Sequence, residues 1–283
     1  MTIDYDTLLN YPIAPVRQRY TARDTAFYAL SIGFGSDPMD ARQLRYVEPR
    51  GGLTTSPSMA VVLGHPGFWL GDPATGVDAV RLVHGEQAFT LHAPLPPEGE
   101  IEATTRVTGI VDKGPGKGAL LYSEKRIVDV ASGALLATTA STTFLRGDGG
   151  FGGPAGPVRA AHALPEGAPD LVVDLPTRPE QALYYRFNGD DNPLHYDPKV
   201  AAAAGFERPI LHGLCTLGVV THALLRGLLD YDAGALGSLQ ARFSAPVFPG
   251  ETIRTEIWRD GSFRARAVER DVVVVNNGLV TRS

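Results

Sequence analysis

The stretch YYRFNGDDNPLHYDPKVAAAAGFERPILHG, residues 184–213, holds the densest group of chemically active side chains in the sequence. A carboxylate, Asp190, stands five residues before an imidazole, His195, and the Asp-Asn-Pro run between them forms turns readily. Gly213 follows His212 and begins an apolar run of helical character. An acid, a base and a helix N-terminus together predict a proton-transfer site beside a developing oxyanion.

The same stretch has structural interpretations that the residues alone leave open. Asp190 can be a simple turn cap, Asp191 can replace it as the functional acid, and His212 can merely hydrogen-bond backbone beside Gly213. The spacing to His195 favours Asp190 over Asp191. Asp190, His195 and His212 can also hold a metal, but because no closed ligand set is visible we predict no metal site.

Outside this stretch, the two halves of the chain match each other at an offset of 156 residues. The segments that begin at Thr21 and Thr177 each predict a Thr N-cap with an acid three residues later. Each half contains one apolar helical segment, Ser56–Leu70 in the first and Leu214–Leu229 in the second. The chain therefore contains two copies of one unit.

Strand-like runs complete each copy. They cover Ile101–Ile110 and Ala119–Phe144 in the first half, and Thr252–Trp258 and Phe263–Val280 in the second. One main helix with several antiparallel strands, used twice, predicts an α+β fold in which a sheet wraps a helix. Pairing the two sheets edge to edge would hide two exposed edges.

A shift in composition predicts where the first copy ends and the second begins along the chain. Residues 147–170 are crowded with Gly, Pro and Ala and predict a linker between residues 1–146 and residues 171–283. At the offset of 156, the positions that match Asp190 and His195 are Phe34 and Met39. The first copy therefore lacks the polar pair, either because it drifted or because it now offers an apolar wall or tunnel. Catalysis is predicted in the second half alone.

Composition also excludes several classes of protein. A net charge of −5 without a basic cluster argues against nucleic-acid binding. No apolar run is long enough to span a membrane, and the N-terminus has no leader pattern. The single cysteine, Cys215, excludes an intrachain disulfide and predicts a small buried core residue. A cytoplasmic protein is the default expectation.

Two pairs of motifs carry a family resemblance. Asn188–His195 with Pro209–Gly213 closely resembles the signature of the MaoC-like (R)-specific enoyl-CoA hydratases, also called hydratase 2. Tyr28–Gly35 and Asp112–Gly118 resemble the N-terminal half of the two-repeat members. The resemblance covers most of the chain outside the linker. One departure is Asn188, where the family more often has Ser.

The resemblance implies a double hotdog fold, with the first repeat in residues 1–146 shaping an acyl-chain pocket and the second in residues 171–283 holding the catalytic motif. It assigns catalytic roles to Asp190 and His195, a supporting role to Asn192 and an oxyanion-binding role to Gly213. Weaker substrate-binding candidates are Arg208, for the coenzyme A phosphates, and the apolar pair Phe34 and Met39.

The expected reaction is the reversible addition of water to trans-2-enoyl-CoA, giving (3R)-3-hydroxyacyl-CoA, with the stereochemistry implied by the resemblance alone. No cofactor is expected, because the thioester itself activates the carbon that water attacks. The expected partner is an acyl-CoA substrate, and either a monomer or a homodimer is feasible. Two alternatives stay open: a hotdog acyl-CoA thioesterase, and a non-catalytic acyl-CoA binding module.

Overall fold

A single ten-stranded antiparallel sheet runs through the computed structural model, which describes residues 3–283. The strands of the first half are β1 (Val16–Tyr20), β2 (Leu82–Leu91), β3 (Gly99–Asp112), β4 (Ala119–Asp129) and β5 (Leu135–Leu145). Those of the second half are β6 (Leu171–Pro176), β7 (Leu236–Phe243), β8 (Thr252–Ile257), β9 (Ser262–Ala267) and β10 (Val272–Arg282). The α-helices are α1 (Tyr5–Leu9), α2 (Ala22–Ser31), α3 (Ala41–Leu44), α4 (Gln181–Tyr185), α5 (Pro198–Ala203) and α6 (Gly213–Gly227).

The order of the strands displays the duplication. Across the sheet it runs β1-β3-β4-β5-β2-β7-β10-β9-β8-β6, so each strand of one half has its counterpart at the mirrored place in the other. The two halves join where β2 pairs with β7, with Phe89 opposite Leu239. This continuous sheet confirms the predicted edge-to-edge pairing, which leaves β1 and β6 as its outer edges.

Helix α6 is the main helix of the second half, and it confirms the predicted helical segment Leu214–Leu229 with its start shifted to Gly213. It packs against β6 and β8 and is buried along most of its length, as its nearly continuous apolar sequence requires. A Cβ at Gly218 would lie 2.4 Å from Cγ2 of Ile32, so the glycine allows the end of α2 to approach the helix closely. The two halves therefore share one core.

The matching helix of the first half is absent from Ser56–Leu70, where the prediction is wrong. A 3₁₀ turn at Pro57–Val61 ends after five residues, because Pro66 and the left-handed Gly64 (φ 60°) cannot continue a helix. The buried Lys125 ammonium donates to the carbonyls of Val61 at 3.1 Å and Leu63 at 2.5 Å. This cation binds carbonyl groups that a longer helix would have paired internally.

A second correction concerns the Thr caps. Thr21 forms the predicted capping box with Asp24 at the start of α2. Thr177 does not cap α4, which begins four residues later at Gln181. Its hydroxyl donates to the carbonyl of Glu251 at 2.7 Å instead, so it ties the chain to the start of β8.

The remaining features concern the linker, the cysteine and membrane crossing. Residues 147–170 carry neither helix nor strand and run between the last strand of the first half and the first strand of the second. Cys215 is free and fully buried, as predicted. Across residues 3–283, the helices are too short or too polar to cross a bilayer.

Candidate active site

The loop that carries Asp190 leaves helix α4 through Gly189, whose φ of 116° suits glycine. The Asp190 carboxylate accepts a hydrogen bond from the Asn192 amide at 3.2 Å. The side chain of Asn192 then accepts from the Leu194 amide at 3.0 Å and caps the short turn Pro193–His195. The Asx-turn interpretation is therefore correct as local structure, and it directs Asp190 and His195 toward one point.

His195 is buried, and its orientation follows from one hydrogen bond. Its Nδ1 lies 2.9 Å from the carbonyl oxygen of Ile210. Because a carbonyl only accepts, Nδ1 carries the proton and Nε2 keeps a free lone pair in the neutral ring. Burial lowers the pKa of His195, while the Ile210 carbonyl and the Asp190 charge oppose this shift. The neutral imidazole is therefore available as a base at neutral pH.

His212 stacks on His195, with ring centroids 3.7 Å apart. Its Nε2 donates to the main-chain carbonyl of Asp190 at 3.1 Å, as expected for a residue that hydrogen-bonds backbone beside Gly213. Burial, reinforced by His195, lowers the pKa of His212 to about 4. A neutral His212 adds no positive charge beside the catalytic candidates.

One ligand atom each from Asp190, His195 and His212 lies within 4.8 Å of the others. The sequence-predicted acid and base are thus brought together. Within residues 3–283, these three side chains form the one cluster of three or more His, Cys, Asp or Glu residues that could hold a metal ion. They supply three ligands at most, which falls short of a closed structural zinc set.

Gly213 begins helix α6, where the first backbone N–H groups have no partner inside the helix and the dipole is positive. A Cβ at this position would lie 3.6 Å from the Phe243 ring, an ordinary contact. The glycine is therefore not required by local crowding. Its absent side chain instead leaves its amide open to an approaching group.

The first repeat also contributes to the site, through residues that the sequence analysis did not select. His84 on β2 lies edge-on to the Phe243 ring, with centroids 5.0 Å apart. Burial lowers the pKa of His84, and the nearby Asp190 charge partly opposes this shift. The same charge acts on His65, which is exposed at the surface. Two histidines of the first repeat therefore lie within electrostatic reach of Asp190. Nothing in the spacing of these histidines could have placed them there, because it depends on the pairing of β2 with β7.

The apolar pair Phe34 and Met39 does not form the predicted wall. Met39 is 88% exposed, so it lines no interior surface. Phe34 is 1% exposed and stacks on Tyr46 and on His222 of helix α6, at 4.3 and 3.9 Å between ring centroids. It fills the core between the repeats, because an apolar ring gains more free energy there than beside water.

The remaining candidates lie at the surface. Asp191 is exposed and pairs with Arg186 at 3.2 Å, so Asp190 is the carboxylate that faces the imidazoles. Arg208 is exposed, lies over the Phe248 ring and donates to the Pro249 carbonyl at 3.3 Å. It borders a cleft of about 330 Å³ that is lined by two arginines, Arg208 and Arg270, and by three glutamates, Glu207, Glu251 and Glu269. Arg208 lies two residues before Ile210, which holds His195, so the cleft is connected to the site through a short segment.

Comparisons with known proteins agree with this architecture. Residues 160–282 match the family model described as MaoC like domain, and residues 18–147 match the MFE-2 hydratase 2 N-terminal domain. The chain is 42% identical to a Mycobacterium tuberculosis protein named enoyl-CoA hydratase ChsH3, over 99% of this chain and 98% of that one.

Two solved structures place the fold. A MaoC-like dehydratase from Phytophthora capsici superposes with a TM-score of 0.87 at 33% identity, covering 99% of this chain and 98% of its own. A Mycobacterium tuberculosis protein described as having a double hotdog fold superposes with a TM-score of 0.58 at 14% identity, covering 96% and 94% of the two chains. The predicted double hotdog fold is confirmed, with the first repeat lacking its long helix.

Proposed function

The chain belongs to the MaoC-like dehydratase family, in the form with an MFE-2 hydratase 2 N-terminal domain, and we propose that it hydrates enoyl-CoA as a hydro-lyase. In this proposal Asp190 and His195 perform the proton transfers. The reaction is the reversible addition of water to trans-2-enoyl-CoA, giving (3R)-3-hydroxyacyl-CoA. The observation that carries this assignment is the clustering of Asp190, His195 and His212 within 4.8 Å.

Water activation follows from the two polar side chains. The Asp190 carboxylate and the free Nε2 of His195 both accept hydrogen bonds, so one water molecule can donate to both. As the water oxygen attacks C3, one of the two groups takes a proton from the water and then delivers it to C2, so that the hydroxyl ends on C3 and the proton on C2. Asn192 supports this geometry by capping the turn on which His195 sits.

Charge stabilisation is assigned to the start of helix α6. As water adds to C3, negative charge collects on the thioester oxygen, and the Gly213 amide can donate a hydrogen bond to it. The helix dipole has its positive end at the same place. Removing an oxyanion donor of this kind costs about 3–4 kcal/mol of barrier.

The rest of the proposal concerns the substrate and its surroundings. Arg208 is assigned to a coenzyme A phosphate because its guanidinium is exposed and lies 3.7 Å from its acidic neighbour Glu207, whereas Arg270 is hydrogen-bonded to Glu251. The (R) configuration of the product is proposed from family membership. The reaction needs no cofactor, because the conjugated thioester already activates C3. A cytoplasmic location, and a monomer or homodimer, stay predictions.

The decisive experiment presents wild-type protein with saturated acyl-CoA and with trans-2-enoyl-CoA of several chain lengths. A hydratase removes the enoyl absorbance and releases no free thiol. Release of thiol from the saturated substrate, with the enoyl absorbance unchanged, would show a thioesterase instead. A protein that binds both compounds but changes neither would be the non-catalytic module. Chiral analysis of the product tests the (R) configuration.

A further inference from the structure

Tyr185, the last residue of helix α4, carries a hydroxyl that the mechanism above does not use. Its side chain is 1% exposed, and its ring lies 5.0 Å from the His212 ring and 6.4 Å from the Tyr28 ring. Among residues 3–283 this hydroxyl has no hydrogen-bond partner. A buried hydroxyl without a partner destabilises a fold, whereas phenylalanine would fill the same space without that cost. Folding alone therefore gives no reason for a tyrosine here.

A second polar atom without a partner lies on the neighbouring ring. Within the same described residues, Nδ1 of His212 is buried and makes no hydrogen bond. Its Nε2 donates to the Asp190 carbonyl, so Nδ1 is an acceptor in the neutral ring. The rings of Tyr185 and His212 are in contact beside Asp190, and each carries a polar atom without a partner: a hydroxyl donor on Tyr185 and the Nδ1 acceptor on His212. Such a pair complements an oxygen that both accepts and donates, as in water or an alcohol.

Tyr28 provides the contrast within the same core. Its hydroxyl donates to Oγ of Ser58 at 3.0 Å, and that serine contacts Ser56 at 3.1 Å. The Tyr185 hydroxyl faces that of Tyr28 closely enough for the two to shift each other's pKa, but their separation is too long for an ordinary hydrogen bond. Of these two buried tyrosines, only Tyr28 therefore makes a hydrogen bond of ordinary length within the fold.

We propose that the Tyr185 hydroxyl hydrogen-bonds an oxygen of the bound reactants and is a further binding residue of this site. That oxygen is the one on C3, as water or as the 3-hydroxyl group, or it is the thioester oxygen. The inference rests on the proposed hydration, because it needs reactants beside Asp190.

The test compares Tyr185→Phe with Tyr28→Phe, each of which removes one oxygen from a buried ring. We expect Tyr185→Phe to lower kcat for trans-2-octenoyl-CoA by roughly tenfold or more, with Tm unchanged or raised because no hydrogen bond within the protein is lost. Tyr28→Phe should lower Tm and keep kcat, because it breaks the bond to Ser58. Rates are measured at a temperature where circular dichroism shows each variant fully folded.

Binding measurements distinguish the two oxygens that Tyr185 can contact, the one on C3 and the thioester oxygen. Asp190→Asn protein, with and without Tyr185→Phe, is titrated calorimetrically with octanoyl-CoA and with 3-hydroxyoctanoyl-CoA. Loss of affinity for the hydroxy compound alone identifies the oxygen on C3, and equal loss for both identifies the thioester oxygen. Wild-type kcat and unchanged affinities in Tyr185→Phe would overturn the inference. Wild-type protein that leaves trans-2-enoyl-CoAs of every tested chain length unchanged would contradict the proposed function itself.

Discussion

The two repeats carry matching sets of five strands but fill the inner face of the sheet differently. The second repeat holds a fifteen-residue helix, α6, whereas the first holds a 3₁₀ turn of five residues at Pro57–Val61. Helix α6 supplies the free N–H groups beside the acid and base. The turn of the first repeat lies away from that pair in sequence, and the buried Lys125 donates to the carbonyls of Val61 and Leu63 at its end.

This difference between the repeats explains why a duplicated unit has one candidate site instead of two. The second repeat has Asp190 and His195. At the position that matches Asp190, the first repeat has Phe34, which stacks on His222 of helix α6. The first repeat nevertheless contacts the second through His84, which lies against Phe243. The proposed proton transfer thus belongs to the second repeat alone, and the pairing of β2 with β7 brings a first-repeat side chain next to it.

The largest expected effect tests whether the repeats differ in chemistry. Asp190→Asn and His195→Gln should each lower kcat by about 10²–10⁴-fold, because each removes a proton-transfer group. Met39→Ala, at the position matching His195, should change kcat by less than about twofold because this side chain is exposed. Initial rates of enoyl absorbance change measure all three. Comparable losses in Met39→Ala and His195→Gln would break the comparison.

The next effect tests the helix that only the second repeat has. Gly213→Pro removes the amide donor, yet proline suits the first position of a helix, and His212 before it has a compatible ψ of 135°. We expect kcat to fall by about 10²–10³-fold with little change in Tm. Gly213→Ala keeps the N–H and makes an ordinary contact with Phe243, so its loss should be smaller. Equal rates in the two variants would argue against an oxyanion role for this amide.

A smaller effect tests the turn of the first repeat. Lys125→Met leaves the carbonyls of Val61 and Leu63 without their donor, which should lower the free energy of unfolding by about 1–3 kcal/mol. Urea unfolding measures the change. Arg126→Met, at the exposed neighbouring position, is the control, and matching stabilities in the two variants would contradict the prediction.

The smallest effect tests the contact between the repeats through pH. Burial lowers the pKa of His222 to about 4 in the folded chain, against about 6.5 when unfolded. Below pH 6.5 the unfolded chain binds the proton first, so the stability contributed by neutral His222 is lost as the pH falls toward 4.

Between pH 7 and pH 5.5 this loss amounts to about 1 kcal/mol. His222→Gln should therefore show a shallower fall in the free energy of unfolding than wild type, measured with urea at the two pH values. His92→Gln, at an exposed position, should retain the wild-type slope. A His222→Gln slope equal to that of wild type would show that Phe34 does not keep this imidazole neutral.

Much of the fold was predictable because its signals are local. Helix α6, the Thr21 capping box and six of the ten strands follow from periodicity and capping residues within short windows. The four strands that were not predicted are the two outer edges, β1 and β6, and the two strands of the seam, β2 and β7. The helix predicted at Ser56–Leu70 does not form although the segment is apolar, because Pro66 interrupts it and proline breaks helices. Thr177 failed as a cap because a distant carbonyl, that of Glu251, offered its hydroxyl a better partner.

The sequence by itself determined the duplication and the closeness of Asp190 to His195, since each depends on residues close together or repeated at a fixed offset. The double hotdog fold was implied by the resemblance of several motifs to a known family. Only the tertiary structure decided that His84 lies against Phe243, that Phe34 fills the core and that Tyr185 keeps a hydroxyl without a hydrogen bond. These facts depend on which strands pair at the β2–β7 seam and on which rings meet in the shared core. Contacts between residues a hundred positions apart leave no trace in a local pattern, because distance along the chain is unrelated to distance in space.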